Sequence, residues 1–343
     1  MSSHIVVYLD QNYLSNMAIA RHSFMKDEEA VFWRSLFDDL KTAVLADKIA
    51  CPASEFHSTE AMYDTRLEEP IREVIDKLSW GLEFHPWRSI LESQIEDAAK
   101  VFLGKQIEKG EFWATIFQSN PQAPVESRMQ DISGTRARVN VHITVPKEVV
   151  EQDRKGKEEF VNIAQGLVKD YCKKPLAWSK LVLESKKSTI DGFMGKLAIY
   201  KIIQGWQSDS IWGQISAQDN YMKLVSLFNR LIQIGINPDD QDMVMKFLES
   251  KELRDSPFID IYSSIWAVIA ECHRLQGRNI KGSDFYDVPI LASALPSCDV
   301  IATDGFMKEI TVNILHFDDK YGATVFSVSQ QDRLAFQKFI KGL

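Results

Sequence analysis

Cysteine is scarce in this 343-residue chain, and Cys51, Cys172, Cys272 and Cys298 never fall in a Cys-x-x-Cys spacing. That pattern excludes a zinc site built on paired cysteines and a disulfide framework, so the thiols are expected to be reduced and mostly buried. Long apolar runs are missing too, and the amino-terminal Met-Ser-Ser-His is not a basic segment leading into one. The expectation is a cytoplasmic protein with no membrane partner. No internal repeat or low-complexity tract stands out, which argues against a repeat array. Positive charge is short overall, with a formal net charge of -8 that counts against phosphate binding. Its distribution is uneven. Residues 128–201 hold 15 Lys or Arg against 9 Asp or Glu, a net of +6, which leaves the rest of the chain at -14. A basic surface set apart from an acidic one, or simply solvated faces, explains this equally well.

What is present is a hydrophobic content of 45%, enough for a sizeable core, and a telling stretch near the end, Gly282 to Asp304. Pro289 has no amide hydrogen and belongs in a first helical turn, which predicts a helix beginning near Tyr286 and ended by Pro296. Ile290, Leu291, Ala294 and Leu295 form its apolar side. Val300-Ile-Ala-Thr303 then reads as a short strand that finishes in Asp304-Gly305. Asp284, Asp287 and Asp304 are thereby predicted to share one rim. Carboxylates gathered there repel one another unless a cation lies between them, and a hard divalent ion suits oxygen ligands. Taken singly, each is better explained as a helix cap or turn residue.

The other end of the chain shifts that balance. His4-Ile-Val-Val-Tyr-Leu-Asp10-Gln-Asn12 is an apolar run that stops at an acid, as a central parallel strand buried on both faces does. A helix is predicted from Asp27 to Ala46, where Val31, Phe32, Leu36, Phe37, Leu40, Val44 and Leu45 recur at helical spacing. A strand follows over Lys48 to Pro52. Ser54 is placed to cap the next helix, on which His57, Glu60 and Asp64 share one face.

Asp10-Gln-Asn12 after a first strand, a helix opening in Asp287-Val-Pro-Ile-Leu-Ala-Ser-Ala, and a strand closing in Ala-Thr-Asp304 together resemble the PIN-domain family of metal-dependent nucleases. The resemblance covers roughly the first eighty and last ninety residues. It implies an α/β fold with a Rossmann-like central parallel sheet flanked by helices, and four acidic positions that bind Mg2+ or Mn2+ and cleave RNA. By position these acids are Asp10, Glu60, Asp287 and Asp304, with Asp284 a further metal ligand and Asn12 and Thr303 in support. Thr303 and Asp304 stand adjacent here, where many family members have a residue between them. Glu55 is the rival to Glu60 as second acid, although an acid in a helix's first turn is already explained by the helix dipole. His57 is expected to be an ordinary hydrogen-bonded residue rather than a ligand.

Between the two ends the chain reads as mainly helical. Ile90, Leu91, Ile95, Ala98, Ala99 and Phe102 form one apolar stripe, Ser119 to Pro124 a loop, and Val139 to Val145 an alternating strand before helices resume at Lys147. The predicted organisation is a discontinuous nuclease-like core, residues 1–80 and 255–343, interrupted by a helical insertion, residues 81–254, basic over 128–201. In that insertion Lys173, Lys174, Trp178, Lys180, Lys186 and Lys187 are candidates for contact with nucleic acid, Trp178 by stacking on an unpaired base. Trp206 and Trp212 are weaker ones, and large aromatics are usually core residues. Ile259 to Ala270 reads as a helix, Thr311 to Phe317 as a strand, Asp318 to Gly322 as a turn, Ala323 to Val328 as a last strand and Gln331 to Ile340 as a closing helix.

The functional expectation is a metal-dependent endoribonuclease, RNA being preferred to DNA only because the resemblance implies it. The alternative is a catalytically inactive module of the same fold that binds RNA or a protein. A phosphatase using Asp10 as nucleophile ranks last, because that chemistry wants a second aspartate where this chain has Asn12. Nothing in the sequence specifies a homo-oligomer or an inhibitory protein partner.

Overall fold

The computed structural model describes residues 4–22, 27–61, 66–107, 112–128, 130–132, 135–137, 147–204, 227, 229–237 and 240–343. The chain divides into two compact units. One comprises Met1–Trp87, Gly110–Leu167 and Asn279–Leu343, and the other Arg88–Lys109 and Val168–Arg278. In this division 110–167 group with both chain ends and 255–278 with the helical unit. Among the described residues no helix is long and apolar enough to cross a membrane.

The first unit is α/β. In chain order it holds β1 (Ile5–Leu9), α1 (Gln11–His22), α2 (Glu28–Leu45), β2 (Ile49–Ala50), α3 (Glu55–Ala61) and α4 (Glu68–Ser79). After an excursion into the second unit come α6 (Phe112–Ile116), the ribbon β3 (Gln130–Ile132) and β4 (Thr135–Ala137), and α7 (Lys147–Lys173), inside which the unit boundary falls. It resumes with α13 (Asp284–Ala294), β5 (Val300–Thr303), α14 (Gly305–Lys308), a π-helical turn (Glu309–Ile314), α15 (Phe317–Tyr321), β6 (Thr324–Ser327) and α16 (Gln330–Gly342).

Four parallel strands form one sheet in the order β2-β1-β5-β6. β1 and β5 are its buried centre, which is why both read as unbroken apolar runs. From β1 the chain moves outward to β2, and from β5 outward to β6, so the winding direction reverses between the two central strands. In open α/β sheets the crevice for a ligand lies at the carboxyl ends of the strands flanking that reversal. Register brings Leu9 opposite Ala302, and the Asp10 amide donates to the Ala302 carbonyl at 2.8 Å. Asp10 therefore leaves the sheet beside Thr303 and Asp304.

One face of the sheet is sealed by α1, α2, α4 and α16. Val7, Leu9, Val300 and Ala302 meet Tyr13, Met17, Trp33, Phe37, Leu40, Val74, Phe336 and Ile340 there. The Tyr13 ring packs edge-on against Trp33 and Phe336, and its hydroxyl donates to the Ser327 carbonyl at 2.7 Å, tying α1 to the far strand. The Asp27 carboxylate caps α2 by accepting from the Ala30 amide.

Three local expectations are corrected. α13 begins at Asp284, two residues before the expected start, and carries Pro289 in its interior. The Ser283 carbonyl accepts from the Tyr286 and Asp287 amides, so the first turn is closed before the proline is reached. Thr311 to Phe317 is not a strand: its first part lies in the π-helical turn, and Phe317 opens α15. Met307, Ile310 and Thr311 are buried at helical spacing, and the Thr311 hydroxyl bonds back to the Met307 carbonyl at 2.8 Å, a local bond that competes with extended structure. Asp318 to Gly322 is a short helix rather than a turn, ended by Gly322 at φ 75°, a conformation glycine adopts without strain. The strand expected over Val139 to Val145 lies outside the described residues.

The second unit is described only as helical. It contains most of α5 (Trp87–Phe102), the end of α7, α8 (Trp178–Gln204), α9 (229–234), α10 (Gln241–Leu248), α11 (Lys251–Arg254) and α12 (Pro257–Gln276). α8 lies along α12, where the Ser185 hydroxyl donates to the Ser263 carbonyl at 2.8 Å and Ser263 to the Thr189 hydroxyl at 2.9 Å. Gln94 of α5 accepts from the Phe258 amide at 2.7 Å, and Arg230 bridges to Glu92 at 2.8 Å and to Glu96.

Candidate active site

Asp10 follows the last residue of β1 and is 5% exposed. Its two carboxylate oxygens are held from below, Oδ1 by the Gln11 amide at 2.7 Å and Oδ2 by the Asn12 side-chain amide at 3.1 Å. Burial and then the charge of Asp304 push its pKa up to about 6, against the lowering effect of those two bonds. Asn12 thus supports the acid from the first turn of α1. Asp304 caps α14, its Oδ1 accepting from the Phe306 and Met307 amides at 2.6 and 3.0 Å. The cap and the site are therefore one residue.

Asp287, in the first turn of α13, is the electrostatic centre of the group. Burial first, then Asp10, Glu60, Asp304 and Asp284 in that order, raise its pKa far above the usual carboxylate range. Glu60, on α3, is raised to about 7 by burial and by Asp10, partly offset by the Lys157 ammonium. Asp284 is 1% exposed and accepts from the Lys281 amide at 2.8 Å, so it closes the turn before α13 while adding its charge to Asp287. Thr303, buried, ends β5 opposite Ser327 of β6.

Glu55, the rival second acid, is exposed and accepts from the Trp87 amide at 2.9 Å. His57 is no candidate ligand. Its Nδ1 accepts from the Ser54 amide at 3.2 Å, which leaves the hydrogen on Nε2, facing the Tyr8 hydroxyl at 3.2 Å. Burial lowers its pKa to about 4, so it is neutral, and its ring stacks on Tyr8 with centroids 5.4 Å apart. No amide of α3 donates to the Ser54 hydroxyl among the described residues, contrary to the cap expected of it, and Asp64 lies outside them.

Sequence reasoning missed what faces this group from α7. Asp153 accepts from the Tyr286 hydroxyl at 2.6 Å, Lys157 sets its ammonium 3.7 Å from the Tyr286 ring centroid, and Phe160 packs on Phe285 at 4.7 Å. Positions 153, 157 and 160 share one helical face. In the sequence they are three residues of a charge-rich helix, with no signal to single them out.

The basic candidates fare differently. Lys186 is 9% exposed and pairs with Asp260 at 2.5 Å and Asp255 at 3.1 Å in the core of the helical unit, so it is removed from any surface offered to phosphate. Lys173 and Lys187 are exposed and pair with Asp170 and Glu184, while Lys174, Lys180 and Trp178 are exposed on the same unit. Trp206 and Trp212 lie outside the described residues.

Chemically, the site offers hard carboxylate oxygens, several of them buried and under mutual repulsion, which suits a hard divalent cation. Each carboxylate oxygen that accepts one bond keeps lone-pair capacity for another. As placed, the acids act on one another's charge, yet among the described residues no three His, Cys, Asp or Glu side chains form a group that could hold a metal ion. Comparison with known proteins brings no matching family model, no matching characterised protein and no matching solved structure.

Proposed function

We propose that the chain is a metal-dependent nuclease of the PIN-like kind, hydrolysing phosphodiester bonds of RNA. The observation that carries this reading is that Asp10 and Asp304 follow the adjacent parallel strands β1 and β5, with the charges of Asp10, Glu60, Asp304 and Asp284 all bearing on the buried Asp287. Burying like charges together is costly, and enzymes accept that cost where the charges are used.

Asp10, Glu60, Asp287 and Asp304 would hold Mg2+ or Mn2+, with Asp284 behind them. When bound, such an ion supplies a more acidic water and neutralises charge on the leaving oxygen. The protein's own part is positional. The Gln11 amide and the Asn12 side chain hold the Asp10 carboxylate, and the α14 cap holds that of Asp304, so neither must reorganise as substrate arrives. The test is cleavage of mixed cellular RNA with and without Mn2+. Asp10→Asn and Asp287→Asn are expected to abolish metal-dependent cleavage with the fold intact, and undiminished cleavage would refute the assignment.

A second reading, an inactive module that binds RNA or protein, is favoured by the spacing of the acids, no three of which form a metal-holding group among the described residues. It predicts a melting temperature indifferent to Mn2+ and RNA binding that persists in a chelator.

A further inference from the structure

We propose that Lys157 is a substrate-contacting residue of this site, its ammonium taking a non-bridging oxygen of the phosphate that the acids act upon. The inference rests on the nuclease reading and assigns the site its phosphate-binding group. A pocket of carboxylates repels a phosphodiester, and a protein cation facing the phosphate oxygens would add to the neutralisation that a bound metal ion supplies. Lys157 is placed for it. It is half-buried, its ammonium stands over the ring of Tyr286, the residue before Asp287, and its charge bears on Glu60, Asp153 and Asp287.

The side chain is also held in place. Its ammonium lies 3.7 Å from the Tyr286 ring centroid, a cation–π contact. That ring is itself fixed, by the hydroxyl bond to Asp153 at 2.6 Å and by packing on Phe56 and Phe285 with centroids 5.1 and 5.3 Å away. Tyr286 directly precedes Asp287. The segment that carries the lysine is thus clasped to the turn that carries the central acid, and the two are set relative to each other by the same ring. A lysine serving only as a surface charge needs no such platform.

The experiment compares the full-length wild type with Lys157→Met, which keeps the apolar stem, and Lys157→Arg, which keeps the charge. Mn2+ binding is measured by calorimetry, kcat and KM on a short labelled single-stranded RNA, and RNA binding in chelator by fluorescence anisotropy. Lys157→Met is expected to bind Mn2+ at least as tightly as wild type, since a competing cation is gone, and to lose roughly tenfold or more in kcat/KM, the worth of one charge-assisted hydrogen bond. Lys157→Arg should recover most of the loss. If Lys157→Met binds Mn2+ and cleaves like wild type, the inference is overturned and the nuclease reading stands. If it loses Mn2+ binding and arginine does not restore it, Lys157 is structural and the inference is equally lost. If the wild type neither binds Mn2+ nor cleaves, the nuclease reading falls. The chelator measurement then decides alone: roughly tenfold weaker RNA binding by Lys157→Met keeps the phosphate contact, and unchanged binding removes it.

Discussion

Replacing Asp10 by asparagine should make the metal-free protein more stable while removing its activity. The carboxylate is buried beside Asp304, and its pKa rises from 3.8 to about 6 on folding. The native state therefore keeps the proton up to about pH 6, whereas the unfolded chain loses it near pH 3.8. Native stability from this group is intact below about pH 4 and is lost as pH rises through about 6, because the native state is then the better proton binder. Above neutrality the loss is about 3 kcal/mol. Asparagine can still accept from the Gln11 amide at the position of Oδ1, but its own NH2 faces the Asn12 donor, and that lost bond costs about 1 kcal/mol. The net expectation at pH 8 is a gain of about 2 kcal/mol, or about 3 °C in Tm for a chain of this length. Thermal melting in chelator, followed by circular dichroism at pH 8 and again at pH 4, reads it directly. At pH 4 the gain should vanish and turn into a small loss, since wild-type Asp10 is then neutral. An Asp10→Asn protein that melts below wild type at pH 8, by the same amount as at pH 4, would show that the charge is under no pressure, and the case for a shared acidic pocket would go with it.

Other substitutions separate structure from chemistry. Asp304→Ala and Asp304→Asn both remove the charge and should both lose metal-dependent cleavage, but only asparagine keeps the α14 cap, so the alanine variant should be less stable than the asparagine one by about 1 kcal/mol in urea unfolding. Lys186→Met strands the buried Asp260 carboxylate and should cost about 3–5 kcal/mol, with the Lys186→Met/Asp260→Leu pair close to wild type by the same measurement. Lys173→Ala, by contrast, breaks only an exposed pair and should shift unfolding by less than about 0.5 kcal/mol. Gly322→Ala forces a side chain into a left-handed backbone and should lower stability by about 1 kcal/mol.

The central strands, the helix over Glu28–Leu45 and the acids that close β1 and β5 were legible in the sequence, because each rests on interactions within a few residues: apolar runs, helical periodicity, caps. So was the prospect that Asp10 and Asp304 meet, since two buried parallel strands that end in an acid have few ways to pair. The misreading at Thr311 to Phe317 has the same origin. β-branched residues favour a strand by local preference, and only the burial of Met307, Ile310 and Thr311 on one helical face overrides it.

Only the folded chain could bury Glu60 and leave Glu55 exposed, bury Lys186 against Asp260, or bring Lys157 onto the Tyr286 ring from a helix more than a hundred residues earlier in the chain. In sequence these are interchangeable charges. What distinguishes them is which helix face lies on the sheet edge and how much water remains there, quantities set by packing between segments far apart in the chain, where local preference carries no information.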